Sequence, residues 1–187
     1  MNITKLTAGR PENMEDRLER ERRCYEFLDD LQITYDRVDH DPAQTMEDCT
    51  LIDVELGTRM CKNLFLCNRQ QTDFYLLMIP GDKVFKTKDL SAQLGTSRLS
   101  FAGPEHMELY LDILPGAVSV LGLMNDTENK VRLLVDADLL GDAYVGCHPC
   151  VNTSSLRIKR DVMFDKIVPA MGHDMTVVTL PVYPTEA

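Results

Sequence analysis

The chain has 187 residues, of which 44% are hydrophobic and 27% are charged, and its formal net charge at pH 7 is −10. This length and composition predict one domain over residues 1–187, large enough to bury a core without metal or disulfide staples. The negative charge excludes a sequence-independent nucleic-acid binder, and no apolar run reaches the roughly 18 residues that span a membrane. Without the apolar segment of a signal peptide, a cytoplasmic protein with reduced cysteines and no membrane contact is expected.

Helices are predicted where apolar residues recur at helical spacing beside capping residues. The first covers residues 13–32, with Asn13 as its cap. The second covers residues 45–56, begins at Thr45 as N-cap and ends at Gly57, a residue type that readily adopts the left-handed conformation after a helix. Three further helices are predicted over residues 87–95, 104–112 and 159–171.

Strands are predicted where short apolar runs are bounded by turn residues. The runs at residues 61–68 and 73–80 are separated by a polar turn and are expected to form a hairpin. Because strands outnumber helices and alternate with them only in part, the sequence predicts an α+β fold with a mixed sheet. The other predicted strands cover residues 33–40, 98–103, 116–124, 130–137, 153–158 and 175–181.

The pentapeptide GCHPC at residues 146–150 contains a C-x-x-C pair, Cys147 and Cys150. A structural zinc site needs four ligands, and no second cysteine pair with this spacing exists, so no metal site is predicted. A redox dithiol lies at a helix N-terminus, whereas the residues after Cys150 favour a strand. What remains is a Gly-x-His-Pro turn, which is either a ligand-binding loop or a surface turn whose histidine has ordinary partners.

The segment CKNLFL places Lys62 and Asn63 at the start of an otherwise apolar strand. Alone, such a lysine is usually an edge residue with a solvated ammonium group. Together with the later Gly-x-His-Pro turn, the segment resembles the YbaK/ProX family of aminoacyl-tRNA deacylases, relatives of the editing domain inserted in bacterial prolyl-tRNA synthetases. The resemblance runs from about residue 35 to residue 180 and includes the motifs DHDPAQTMED, KNLFL, DFYLLMIPGDK, RLSFAGPE, LPGAVSVLGLMND and GCHPCVNTSSLRI.

The resemblance implies a YbaK-like α+β domain with a mixed, partly barrel-like sheet flanked by helices, and leaves the extra helix near residues 13–32 without a role. It implies hydrolysis of the ester that joins a wrong amino acid to the tRNA 3′ end. The chain is most similar to the free-standing enzymes that act on Ala-tRNA(Pro). The expected partners are the 3′ end of mischarged tRNA and prolyl-tRNA synthetase, and no cofactor is expected.

The resemblance also implies the site residues. The catalytic residues would be Lys62, which holds an anionic part of the substrate, Gly146, whose backbone stabilises the oxyanion, and His148, which orients the α-amino group, carbonyl or water. Leu56, Leu64 and Val118 are candidates for a small pocket that excludes proline. The substrate-binding residues would be His40, Thr45, Asn63, Leu64, Val118, Ser119, Pro149 and Asn152.

Three alternatives stay open. Cysteine competes with alanine as the edited amino acid. A binding module on the same fold would keep the pocket without turnover. A thiol-redox or metal protein would use Cys147 and Cys150.

Overall fold

The computed structural model describes residues 1–184. Helices α1 to α6 cover Glu19–Asp30, Met46–Leu56, Thr87–Leu94, Pro104–Leu111, Arg160–Val162 and Val168–Ala170, with a π-helical turn over Met163–Ile167 between the last two. Strands β1 to β9 cover Thr7–Ala8, Asp36–Asp39, Cys61–Cys67, Phe74–Pro80, Ser100–Phe101, Val131–Asp136, Tyr144–Cys147, Ser154–Lys159 and Met175–Val178. No helix within residues 1–184 is long and apolar enough to cross a bilayer.

The strands form two sheets. One has four antiparallel strands in the order β1-β2-β8-β7, and the other has five strands in the order β5-β3-β4-β6-β9 with parallel pairing of β6 to both β4 and β9. This mixture, with helices interspersed along the chain, confirms the predicted α+β class. Within residues 1–184 neither sheet closes on itself, and a bridge between Met60 and Gly146 links the start of β3 to β7. The predicted partly barrel-like sheet is therefore wrong in that detail.

The β3–β4 hairpin separates two apolar clusters, because successive side chains of a strand point to opposite faces. Phe65 and Cys67 join the main cluster, which also takes residues from β7, β8 and α1. Leu64 and Leu66 join a second cluster that includes Leu90 of α3. The two faces of β3 therefore border different parts of the molecule, which decides where its polar residues lie.

The helix boundaries depend on capping. The Thr45 hydroxyl oxygen accepts from the Asp48 N–H at 3.1 Å, and the Asp48 carboxylate accepts from the Thr45 N–H at 3.1 Å. Gly57 ends α2 in the left-handed conformation, as predicted. The predicted helix over residues 13–32 is instead a 3₁₀ turn over Met14–Asp16 followed by α1. Arg17 and Leu18 between them are extended, and Asn13 makes no side-chain cap.

The predicted strand over residues 116–124 is wrong. This segment is a loop followed by a 3₁₀ helix over Val120–Asn125, with Ser119 as its N-cap. The apolar residues are buried as expected, but Gly116 has a φ of 90° and the Ser119 side chain accepts from the Leu121 N–H at 3.2 Å. These local features favour a turn over a strand, and they bring Ser119 beside the loop that follows β7.

Candidate active site

The Gly-x-His-Pro segment lies where the two sheets meet. Gly146 is in β7, and a Cβ atom built on it would lie 2.6 Å from the Arg59 carbonyl oxygen and 3.1 Å from the Met60 Cα. Real Cβ atoms essentially never come within 3.0 Å of a backbone atom, so only glycine fits here. The close approach predicted for Gly146 is thus to the protein's own backbone. It fixes the position of β7 and of His148 two residues later.

His148 is half-buried, and its Nδ1 lies 2.8 Å from the Ser154 carbonyl oxygen. A carbonyl can only accept, so Nδ1 carries the proton and the neutral ring keeps a lone pair on Nε2. Burial and, to a smaller extent, the nearby His40 ring lower the pKa of His148 to about 4, although the hydrogen bond to Ser154 acts in the opposite direction. At neutral pH the ring therefore offers an uncharged acceptor that no hydrogen bond within residues 1–184 occupies.

His40 contacts His148 indirectly, through the Ser155 hydroxyl. The His40 ring is buried, its Nδ1 donates to the Asp41 carbonyl at 2.9 Å, and its Nε2 accepts from the Ser155 hydroxyl at 2.8 Å. Burial lowers the pKa of His40, which keeps this arrangement neutral. The Ser155 oxygen lies 3.5 Å from His148 Nδ1, and the two imidazole centroids are 6.2 Å apart. His40, predicted to bind substrate, thus lies in the layer that orients His148.

The Ser119 side chain holds the backbone of the loop that contains His148. Its hydroxyl donates to the His148 carbonyl at 2.5 Å, and its side chain is fully buried. The structure therefore gives Ser119 a positioning contact where the sequence predicted a substrate contact. Asn152 is exposed, and its Nδ2 lies 3.8 Å from where a Cβ would stand on Gly116. The loop before Ser119 and the loop after His148 are consequently neighbours.

Lys62 and Asn63 face opposite sides of β3. The Lys62 ammonium is on the face of the second cluster, donates to the Lys83 carbonyl at 3.1 Å and forms no ion pair within residues 1–184. By contrast, the ammonium of the buried Lys83 is paired with Asp136 and Asp138 at 2.8 Å each. Lys62 thus keeps a charge that no described carboxylate neutralises.

Asn63 lies on the face of β3 that meets β7. Its Nδ2 donates to the Cys61 carbonyl at 3.4 Å, whereas its Oδ1 is shielded from solvent and has no partner within the part of the chain that the structure describes. Leaving a buried polar atom unpaired costs about 1–3 kcal/mol, so such an atom is expected to find a partner in use. The Asn63 oxygen is an acceptor held ready for a donor.

The remaining predicted residues divide between loop and core. Pro149 is buried beside His148, and Val118 is half-buried against the main cluster. Leu64 packs in the second cluster and the fully buried Leu56 in a third, so neither lies with Val118. Thr45 is exposed and is already engaged as the α2 cap.

The cysteines of the pentapeptide are both buried. Cys150 is followed by a turn and β8, as predicted, and its sulfur lies 3.3 Å from Cys24 of α1 rather than bonded to Cys147. Burial raises the pKa of both Cys24 and Cys147, which keeps these thiols protonated. Within residues 1–184 no three His, Cys, Asp or Glu side chains are grouped as a metal site would require.

Sequence reasoning missed Ser154, Ser155 and Tyr25, all of which support His148. One signal was available for the serines. They lie side by side in a predicted strand, and buried hydroxyl groups in a strand need partners. Tyr25 carried no such signal, because its partner Ser154 is 129 residues away.

Comparisons with known proteins converge on one family. Residues 40–165 match the family model of the aminoacyl-tRNA editing domain. The prolyl-tRNA editing protein ProX of Acetoanaerobium sticklandii is 33% identical over 153 residues, which cover 82% of this chain and 93% of the relative. Prolyl-tRNA synthetase associated domain-containing protein 1 of Danio rerio is 30% identical over 135 residues, which cover 71% of this chain and 73% of that relative.

A solved structure supports the same fold. It is described as a candidate trans-editing enzyme for prolyl tRNA synthetase and aligns with a TM-score of 0.65 at 16% identity, covering 88% of this chain and 98% of the other.

Proposed function

The chain belongs to the aminoacyl-tRNA editing domain family and is an aminoacyl-tRNA deacylase, and on this premise we propose that it hydrolyses Ala-tRNA(Pro) in trans. The observation that carries the proposal is the state of His148. Its ring is neutral, its Nδ1 proton is fixed on Ser154, and its Nε2 lone pair has no partner within residues 1–184. An acceptor of this kind holds a water molecule or the substrate amine beside an ester carbonyl.

Two groups on β3 complete the proposed site. The Lys62 ammonium, which lies on the face of β3 opposite Asn63 and is free of any described carboxylate, is proposed to bind the terminal phosphate beyond the reacting ester. The unpaired Asn63 oxygen accepts from the α-ammonium group or the ribose hydroxyl. Gly146 acts in this proposal only by setting the position of β7, because its backbone N–H donates to the Cys61 sulfur.

The reaction needs only water. Water held at His148 Nε2 attacks the ester carbonyl, and its proton passes to the ring or to the tRNA ribose oxygen as the tetrahedral intermediate forms. The intermediate then collapses, the carbon–oxygen bond to the ribose breaks, and the ribose oxygen leaves with the proton. Because the pKa of His148 is about 4, the ring is a weak base, and its main contribution is orientation.

Alanine is proposed as the edited residue on steric grounds. A prolyl site rejects a smaller amino acid poorly, since a missing methylene changes the binding free energy by only about 1–3 kcal/mol. A second pocket that is too small for the pyrrolidine ring admits alanine and spares the correct product. Val118, half-buried next to the Ser119 contact with His148, is the proposed wall of this pocket.

The test compares initial hydrolysis rates of alanyl-, cysteinyl-, seryl- and prolyl-tRNA at equal enzyme concentration. We expect alanyl-tRNA to be cleaved fastest and prolyl-tRNA to be left almost intact. Val118→Ala is expected to raise the prolyl-to-alanyl rate ratio about tenfold. Leu64→Ala is the matched control, because Leu64 packs in the second cluster. Equal rates on alanyl- and prolyl-tRNA would refute the proposed size exclusion by the pocket. A faster rate on cysteinyl-tRNA would make cysteine the edited amino acid.

Lys62→Ala is expected to lower kcat/KM about 10- to 100-fold, the effect of losing a charge-assisted hydrogen bond, without changing the fold. The exposed position of Lys62 makes its removal tolerable for the core. Lys88→Ala is the control, since Lys88 is also exposed and the net charge changes equally. A folded Lys62→Ala protein with the wild-type rate would show that this ammonium does not bind substrate.

The proposed partner follows from the proposed reaction. An enzyme that corrects alanine attached to proline tRNA acts on the free product of prolyl-tRNA synthetase, and we propose that synthetase as a docking partner. The cytoplasmic location predicted from the sequence stays a prediction.

A further inference from the structure

Helix α1 lies outside residues 40–165, which match the editing-domain model, yet it packs directly behind the candidate site. Two consecutive residues of its buried face, Cys24 and Tyr25, are fully buried. Cys24 contacts Cys150 at 3.3 Å between sulfurs, and Tyr25 Oη lies 3.1 Å from the Ser154 hydroxyl. The helix thus touches both ends of the segment that follows His148.

The Tyr25 contact leads to His148 in two steps. The Ser154 hydroxyl donates to Tyr25 Oη at 3.1 Å, and the Val38 carbonyl oxygen of β2 is a second, longer acceptor at 3.3 Å. The Ser154 backbone carbonyl accepts the Nδ1 proton of His148 at 2.8 Å. Ser154 is fully buried, so water cannot replace either partner of its hydroxyl without entering the core. The serine that fixes the tautomer of His148 is itself fixed by α1 and β2.

Tyr25 is held in turn by a buried polar network. Its hydroxyl donates to Glu21 at 3.2 Å, Glu21 is paired with Arg17 at 3.1 Å, and Arg17 binds Asp39 at 2.8 Å. Displacing Tyr25 would take a hydrogen-bond partner from the buried Glu21 and Ser154, which is costly in a low dielectric. The Arg17 Nε atom, farther along the network, has no partner within residues 1–184. Burial raises the pKa of Tyr25, which therefore stays a neutral phenol at every pH of interest.

We propose that Tyr25 is a positioning residue for His148, and that α1 is consequently a functional part of the deacylase rather than an appendage. Tyr25 holds the Ser154 hydroxyl, and Ser154 holds the imidazole with Nδ1 protonated and Nε2 free. This inference rests on the proposed role of His148 in the reaction. It assigns a role to a helix that precedes the matched family residues.

The test is Tyr25→Phe, which removes one hydroxyl and keeps the ring in the core. We expect kcat to fall about 2- to 10-fold, the effect of one lost hydrogen bond, while KM stays unchanged. Tyr35→Phe is the matched control. Tyr35 is also buried, its ring stacks on Tyr25 at 6.1 Å, and its hydroxyl donates to Asp29 of α1 instead of the loop. This control is expected to keep the wild-type kcat.

A direct readout is the nitrogen NMR spectrum of the histidine rings, of which the chain has four. Wild-type protein should show His148 protonated at Nδ1, and Tyr25→Phe should shift its two nitrogens toward a mixture of tautomers. In a double-mutant cycle, Tyr25→Phe should add no further loss of kcat to Ser154→Ala, because both act through one contact.

The outcomes separate the two proposals. If Tyr25→Phe lowers only the melting temperature, with wild-type kcat and an unchanged His148 spectrum, Tyr25 is merely structural and the inference is refuted. Losses of kcat that multiply in the Tyr25 and Ser154 double variant would also refute it. If wild-type protein cleaves no alanyl-tRNA, the proposed substrate is wrong, while the His148 spectra of wild type and Tyr25→Phe still decide the positioning role.

Discussion

His148→Ala is expected to lower kcat/KM for alanyl-tRNA at least about 100-fold, the low end of the range for a side chain that handles the reacting water. The physical reason is the single free acceptor at Nε2, whose direction is set by the Nδ1 bond to Ser154. Alanine removes this acceptor but leaves the loop backbone, which Ser119 holds independently through the His148 carbonyl. The variant should therefore fold normally and fail in the reaction.

The same side chain fixes the acid limb of the wild-type pH profile. Protonation of Nε2 destroys the acceptor, and burial places the pKa of His148 near 4. The rate should accordingly stay level as the pH falls from 7 to about 5 and should decline around pH 4. An unperturbed histidine would cause this decline near its ordinary pKa of about 6.5. The stability of the fold changes in the same direction as the rate. Because the pKa of His148 is lower in the folded than in the unfolded protein, the free energy of unfolding decreases as the pH falls from the unfolded pKa to the folded one.

The control is His106→Gln, since His106 lies on α4, where its ring packs at a tilt against Phe74 and stacks on Tyr110. Steady-state rates and circular dichroism for the two variants check the prediction. Wild-type turnover in folded His148→Ala protein would remove His148 from the mechanism. A rate that halves near pH 6.5 would contradict the low pKa.

Much of the fold could be predicted because local signals agreed with the final packing. The α2 boundaries follow from two capping features, the Thr45–Asp48 box and Gly57, which act within a few residues. The β3–β4 hairpin follows from two apolar runs around a short polar turn. The strand prediction for residues 116–124 was wrong because apolar residues indicate burial but do not specify the backbone conformation. Ser119 and Gly116 dictated a turn there.

The site could be predicted only as a set of residues. The order of the motifs along the chain identified Lys62, Asn63 and His148, but not which contacts each side chain makes. Strand alternation places Lys62 and Asn63 on opposite faces, yet the sequence does not say which face meets β7. The support of His148 by Ser154, Ser155 and Tyr25 depends on contacts between distant segments, which leave no periodic trace in a single sequence.

Gly146→Ala is expected to lower kcat/KM about 100-fold although it touches no reacting group. The added Cβ would stand 2.6 Å from the Arg59 carbonyl oxygen and 3.1 Å from the Met60 Cα, and backbone atoms cannot rotate out of the way as a side chain does. β7 must therefore move away from β3. A displacement of about 1 Å at a reacting group is enough for a 100-fold loss of rate.

The stability of this variant should fall by roughly 1–3 kcal/mol, the usual cost of overpacking. Gly141→Ala is the matched control, because a Cβ at Gly141 meets nothing within 4 Å and this nearby glycine does not need a left-handed backbone. Thermal melts and steady-state kinetics on both variants separate displacement from unfolding. Displacement predicts a folded Gly146→Ala protein with a large loss of kcat and a Gly141→Ala protein with neither defect. A folded Gly146→Ala protein with wild-type kcat would show that the contact between β7 and the start of β3 does not set the position of His148.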